Sequence, residues 1–185
     1  AAFEAVGIVL LLFAFVPQFG AEGVWVSVFT AISAFCNAGF DLFGRFGAYS
    51  SLVPYVNNYY VQAVIMFMIM AGGLGFMVWV ELAEYRKKRR LSLHAKVVLQ
   101  FSAIFWVGGA VLLALLEWSN PRTMGGLSVP GRIMAALFQS VSTRTAGMNT
   151  IDLAACSPIS KLLMSVLQFI GAAPGSTGGG VKVTT

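Results

Sequence analysis

Charge is what this chain has least of. Asp, Glu, Lys and Arg make up 10% of its 185 residues, against about 25% in a soluble domain. Hydrophobic residues make up 58%, and the mean hydropathy is +0.81. That composition excludes a soluble globule and requires surfaces that face lipid. The apolar runs are continuous rather than alternating, which excludes a membrane β-barrel. Histidine is nearly absent too. His94 stands alone at one end of an apolar run and reads as structural. The two cysteines, Cys36 and Cys156, lack CxxC partners, so no zinc or redox motif is present. A disulfide between them is conceivable, since both fall on one side of the expected membrane, but two small buried thiols are the simpler reading. With the carboxylates scattered as well, no nucleophile, base or metal cluster can be assembled, and the chain does not read as an enzyme.

The charge that is present is concentrated. Arg86, Lys87, Lys88, Arg89, Arg90 and Lys96 hold half of the twelve basic residues. A basic loop beside membrane helices marks the cytoplasmic side, so residues 86–96 are expected inside. Topology accounts for this loop better than nucleic-acid binding does, and no nucleic-acid partner is expected. The first apolar run, residues 5–16, is shorter than the roughly 20 residues of a full span. With no initiating Met and no basic leader before it, it reads as the end of a helix in an internal piece of a longer protein.

An expected order of elements follows. The first helix closes at Pro17, and a short amphipathic helix over residues 24–35 leads into a loop. Residues 62–80 carry no charge and are long enough for one crossing. The basic loop follows, and residues 97–116 cross back. Turn signals at Asn120-Pro121, Gly125-Gly126 and Pro130-Gly131 mark an outer loop. A second short helix, residues 132–141, leads into a second loop, and Ser157-Pro158 opens a last span broken near residues 171–180. The order helix, short helix, loop, helix thus occurs twice, and aligning Ala38-Gly39 with Ala146-Gly147 gives an offset of 108 residues. The fold class is all-α integral membrane, built from helix–pore-loop–helix units over residues 1–90 and 91–185. Both short helices enter from outside.

The loops carry the chemistry. A monovalent cation crossing a membrane needs oxygens in place of water, and backbone carbonyls supply them without full charge. Turning successive carbonyls one way needs backbone angles that glycine adopts at low cost, which gives Gly39 and Gly147 a specific role. Each short helix aims the partly negative end of its dipole at the same axis. Irregular backbone at membrane depth is tolerated where protein or water surrounds it. Arg144 is expected to brace its loop by pairing with Asp152 or Asp41. Alternatively, the two aspartates draw cations to the outer mouth.

The stretches Ser33-Ala34-Phe35-Cys36-Asn37-Ala38-Gly39-Phe40 and Arg144-Thr145-Ala146-Gly147-Met148-Asn149-Thr150 resemble the second and third pore loops of the Trk/Ktr/HKT superfamily of potassium transporters. A third stretch, from Gly171 to Lys182, resembles that family's glycine-rich loop interrupting a descending helix. It comprises Gly171, Ala172, Ala173, Pro174, Gly175, Ser176, Thr177, Gly178, Gly179, Gly180, Val181 and Lys182, and its Pro-Gly-Ser-Thr-Gly-Gly-Gly form is similar to the Ktr branch. The resemblance covers almost the whole chain. It implies potassium uptake across the cytoplasmic membrane through a pore of four repeats, of which these are the middle two. It implies filter segments at Asn37, Ala38, Gly39 and Phe40 and at Thr145, Ala146, Gly147 and Met148, near the outer face, with potassium held at their carbonyls. Glycine at both filter positions implies potassium over sodium. Whether sodium is also carried, as a symported ion, stays open. A homodimer and a cytoplasmic nucleotide-binding regulatory ring are the implied partners. No cofactor is expected in this subunit.

The glycine-rich stretch has competing readings. Gly175 and Gly180 have phosphate-loop spacing, but Val181 stands where Lys is required and no strand precedes it. GxxxG packing explains Gly72, Gly73 and Gly75. In the last span, Pro174 and three consecutive glycines break the helix more completely than packing requires. Residues 171–180, with Lys182 as an anchor or ion sensor, are therefore expected to form a gate below the filter. A secondary solute carrier with broken helices and a non-conducting membrane scaffold are the alternative functions.

Overall fold

A computed structural model describes residues 2–47 and 50–184. Seven α-helices follow one another: α1 (Ala2–Phe19), α2 (Glu22–Phe35), α3 (Tyr59–Gly73), α4 (Phe76–Lys88), α5 (Leu93–Glu117), α6 (Val129–Thr143) and α7 (Pro158–Phe169). Two short 3-10 turns, Phe43–Phe46 and Val53–Tyr55, fill the link between α2 and α3. Among the described residues the only β pairing is an isolated parallel bridge between Ile170 and Val181.

The helices start where the sequence supplies caps. Asn58, Ser92, Ser128 and Ser157 accept hydrogen bonds from the backbone N–H groups of Val61, Ala95, Gly131 and Ser160, respectively. Each satisfies one of the orphan donors of a helix N-terminus, worth typically about 1 kcal/mol. Ser128 explains a departure from expectation. Pro130-Gly131 is not a turn but part of the first turn of α6, because proline is tolerated where its missing N–H has no helical partner. Pro17 likewise does not close α1, which continues to Phe19.

Helices α1 and α5 are long and apolar enough to cross a membrane, with exposed Phe13 and Leu115 on their outward faces. The expected single span over residues 62–80 is broken. α3 and α4 meet at 97° across Leu74-Gly75. Gly72 does pack closely, since a Cβ there would overlap Phe35 O at the end of α2, but packing is not the whole role of these glycines. They open a backbone seat for residues 173–177. Ala173 N–H donates to Gly73 O at 3.1 Å, Thr177 N–H to Gly72 O at 3.2 Å and Phe76 N–H to Gly175 O at 3.3 Å.

Two packed groups flank this centre. α1 and α2 lie on α3, with Leu11, Phe15, Val26, Ile65 and Met68 buried between them. α5 packs on α6 and α7 around Leu113, Ala135 and Met164. α3 meets α6 across the middle, which brings the two loop motifs to one place.

Candidate ion site

The short helices α2 and α6 end at Phe35 and Thr143, immediately before the two loop motifs. Each loop is tied back by a serine hydroxyl. Ser33 Oγ donates to Phe40 O at 2.6 Å, and Ser142 Oγ donates to Met148 O. These two serines were not singled out from the sequence. Their signal was a serine in the last turn of each short helix, just before the Ala-Gly loop.

Gly39 and Gly147 have φ of 76° and 82°, in the left-handed region that glycine occupies without penalty. The two positions differ in surroundings. A Cβ on Gly39 would overlap the carbonyl oxygen of Ala146, whereas one on Gly147 would meet no atom within 4 Å. The two loops are thus in backbone contact at Gly39. Among the described residues, the carbonyls of Asn37, Ala38, Gly39, Thr145, Ala146 and Gly147 accept no hydrogen bond. Those of Phe40 and Met148 each take a serine hydroxyl. Phe40 is 70% exposed and Met148 buried, so these otherwise equivalent side chains have different surroundings.

Polar side chains hold the two loops together. Thr145 Oγ1 donates to Asn37 Oδ1 at 2.6 Å. Asn37 Nδ2 in turn donates to Thr177 Oγ1 at 2.9 Å, and the Thr177 hydroxyl donates to Phe35 O at 2.8 Å. The glycine-rich loop thereby touches the start of the first Ala-Gly loop. That loop starts where α7 stops, at Phe169. Gly171 N–H and Ala172 N–H donate to Val181 O and Gly179 O at 3.0 and 3.1 Å, closing the loop on itself. Ser176 Oγ donates to Ala173 O, and Lys182 Nζ to Gly178 O at 2.7 Å.

Arg144 corrects an expectation. It reaches neither Asp41 nor Asp152. Its guanidinium donates to Gly171 O at 2.7 Å and Ile170 O at 3.4 Å, and lies 5.4 and 5.8 Å from the ring centroids of Phe105 and Trp106. It braces the start of the glycine-rich loop rather than the outer mouth. The aspartates line an open depression of about 620 Å³ together with Gly39, Phe40, Gly147 and Asn149. Each also closes its own turn, Asp41 Oδ1 accepting from Phe43 N–H at 2.9 Å and Asp152 Oδ1 from Ala154 N–H at 2.8 Å. Their negative charge faces the space above the two glycines.

Behind this mouth, sequence reasoning missed a hub. Glu117 is fully buried and accepts from Ser157 N–H at 2.8 Å, Ser160 Oγ at 2.6 Å, Thr123 Oγ1 at 2.7 Å and Asn120 Nδ2 at 2.7 Å. A carboxylate is retained in an apolar surrounding because four donors, two from the first turn of α7, replace its water. Cys36 and Cys156 are both free thiols.

The whole chain, residues 1–185, matches the TrkH family, described as cation transport protein. It is 40% identical to the potassium/sodium uptake protein NtpJ of Enterococcus hirae, over 98% of this chain and 39% of that protein. It is 41% identical to the Ktr system potassium uptake protein B of Vibrio alginolyticus, over 98% of this chain and 40% of that protein. The crystal structure of the potassium transporter TrkH from Vibrio parahaemolyticus has a similar fold, with a TM-score of 0.73 at 20% identity over 99% of this chain and 36% of that one. The chain therefore spans about two fifths of the relatives it matches. With its apolar helices, it is a multi-pass membrane chain, and it belongs to the TrkH family of cation transport proteins.

Proposed function

We propose that this chain forms two of the four walls of a potassium uptake pore. In this reading Asn37–Gly39 and Thr145–Gly147 present carbonyls to a dehydrating potassium ion, and residues 171–180 are the gate beneath them. One observation carries it. Two loops 108 residues apart meet with six carbonyls that accept no hydrogen bond among the described residues, beside a depression lined by two aspartates. Asn37 and Ala146 are buried while Ala38 and Gly147 are exposed, so these carbonyls take partners from water or an ion. Relatives named as Ktr system potassium uptake proteins support a complex with other subunits; the four-repeat pore, the regulatory ring and the homodimer belong to the same proposal for the full-length protein. The basic loop lies on the cytoplasmic side, and the filter near the outer face of the cytoplasmic membrane. The NtpJ relative is named for both potassium and sodium, so the ions carried are best determined directly. Cation uptake into liposomes by the full-length protein, with potassium, rubidium and sodium in turn, tests the reading. Uptake of potassium and rubidium ahead of sodium is expected. Equal uptake of all three would remove the carbonyl-filter reading.

A further inference from the structure

The basic stretch expected as a loop is mostly helical, with Arg86, Lys87 and Lys88 ending α4, Lys96 in α5 and only residues 89–92 linking them, and it builds a pocket. At the end of α4, Arg89 takes a left-handed conformation, with φ of 46°, and turns the chain toward α5. Arg89, Arg90 and Lys96 then surround one depression of about 400 Å³, with Tyr85 and Leu91 completing its wall. Among the described residues no carboxylate lines it. The glutamates of α4 are engaged elsewhere. Glu84 accepts from Lys88 Nζ at 2.6 Å, and Glu81 accepts from Ser92 N–H at 2.9 Å and Ser92 Oγ at 2.7 Å. Three cationic side chains therefore share a concave site without a protein anion to meet them.

The surroundings identify the anion's source. Leu93, the first residue of α5, is 78% exposed. Phe76, Met77 and Val80 are exposed along α4, which leaves α3 at 97°. If α3 crosses the bilayer, α4 runs along its surface. Cations bordered by exposed apolar side chains at that level match a headgroup on one side and acyl chains on the other. An acidic segment of a regulatory protein would satisfy the charges and leave Leu93 and Val80 in water.

We propose that the α4–α5 elbow is a binding site for an anionic phospholipid, its phosphate held by Arg89, Arg90 and Lys96. A consequence concerns the gate. Phe76, at the other end of α4, donates to Gly175 O, so lipid bound at the elbow steadies the seat of the glycine-rich loop. That consequence rests on the gate reading; the binding does not.

Native mass spectrometry of the full-length protein with phosphatidylglycerol or phosphatidylcholine tests the binding. The wild type should retain phosphatidylglycerol preferentially. R89Q/R90Q should lose about tenfold in apparent affinity, as the removal of charges from an anionic surface predicts, with K96Q as a milder single change. K87Q, outside the pocket, should behave as wild type. Millimolar inorganic phosphate should not displace the lipid. Equal retention of both lipids, equal loss in K87Q, or displacement by phosphate alone would overturn the proposal. So would pocket variants that keep the lipid but lose a cytoplasmic regulatory protein. For the consequence, potassium uptake should depend on phosphatidylglycerol in wild type and not in R89Q/R90Q. Lipid binding without any effect on uptake would remove the coupling and leave the site.

Discussion

Thr145 Oγ1 donates to Asn37 Oδ1 at 2.6 Å across 108 residues of sequence. The two residues occupy the same position in their respective repeats, each one before Ala-Gly. Asn37 is buried in the left-handed region, with φ of 52°, which asparagine tolerates better than most side chains. Thr145→Val removes the donor and keeps the shape. It should destabilise the full-length protein by about 1–3 kcal/mol, because the Asn37 oxygen is left buried and unsatisfied, while Thr145→Ser should stay near wild type. Thermal unfolding in detergent measures both. Equal unfolding temperatures for the valine and serine variants would show that the bond contributes nothing.

The two loop glycines, Gly39 and Gly147, should not respond alike. Both have positive φ, so any side chain costs about 1–2 kcal/mol in backbone strain. Only at Gly39 would a Cβ also overlap Ala146 O. Gly39→Ser should therefore lower both stability and potassium-over-sodium preference, whereas Gly147→Ser should lower the preference with a smaller loss of stability. Unfolding temperatures and competitive uptake of potassium and sodium, measured on the same preparations, separate these outcomes. Unaltered preference in both variants would count against carbonyl readout at these segments.

Thr177 is the side-chain link from the glycine-rich loop to Asn37 and to Phe35 O. If that loop is a gate, Thr177→Val loosens it while leaving its backbone seat on Gly72 and Gly73. Potassium uptake should rise severalfold, and deletion of residues 173–178 should raise it further. A deletion that raises flux beside a silent Thr177→Val would keep the gate and discard the latch. Neither change raising flux, at normal expression, would discard the gate.

The repeat, the basic cluster and the break in the last helix were legible because each is local: a run without charge, a group of Lys and Arg, a Pro-Gly-rich interruption. The break between α3 and α4 was not. Its glycines resemble packing glycines in sequence, and only the arrival of residues 173–177, a hundred positions later, gives their exposed backbone groups partners. The same limit hid Arg144, whose acceptors are the carbonyls of Ile170 and Gly171. Carbonyl acceptors occur at every position, so sequence favoured the visible aspartates instead. Glu117 was missed because its four donors come from segments that read as loop or cap.

Cys156 offers a test of the outer assembly that needs no transport. It lies in the link between α6 and α7, and burial, helped by the nearby charge of Glu117, pushes its thiol up to about 11 from an ordinary 9.0. The folded form thus holds the proton where an unfolded chain would release it. This contribution to stability is complete below pH 9 and is lost as pH rises toward 11. Alkylation requires the thiolate. In a Cys36→Ser background, labelling of the full-length protein should be slow at neutral pH, should climb with pH to about 11 rather than levelling near 9, and should become fast on denaturation. Rapid labelling of the folded protein at neutral pH would mean that the Glu117-centred junction of α5 and α7 is not closed as described.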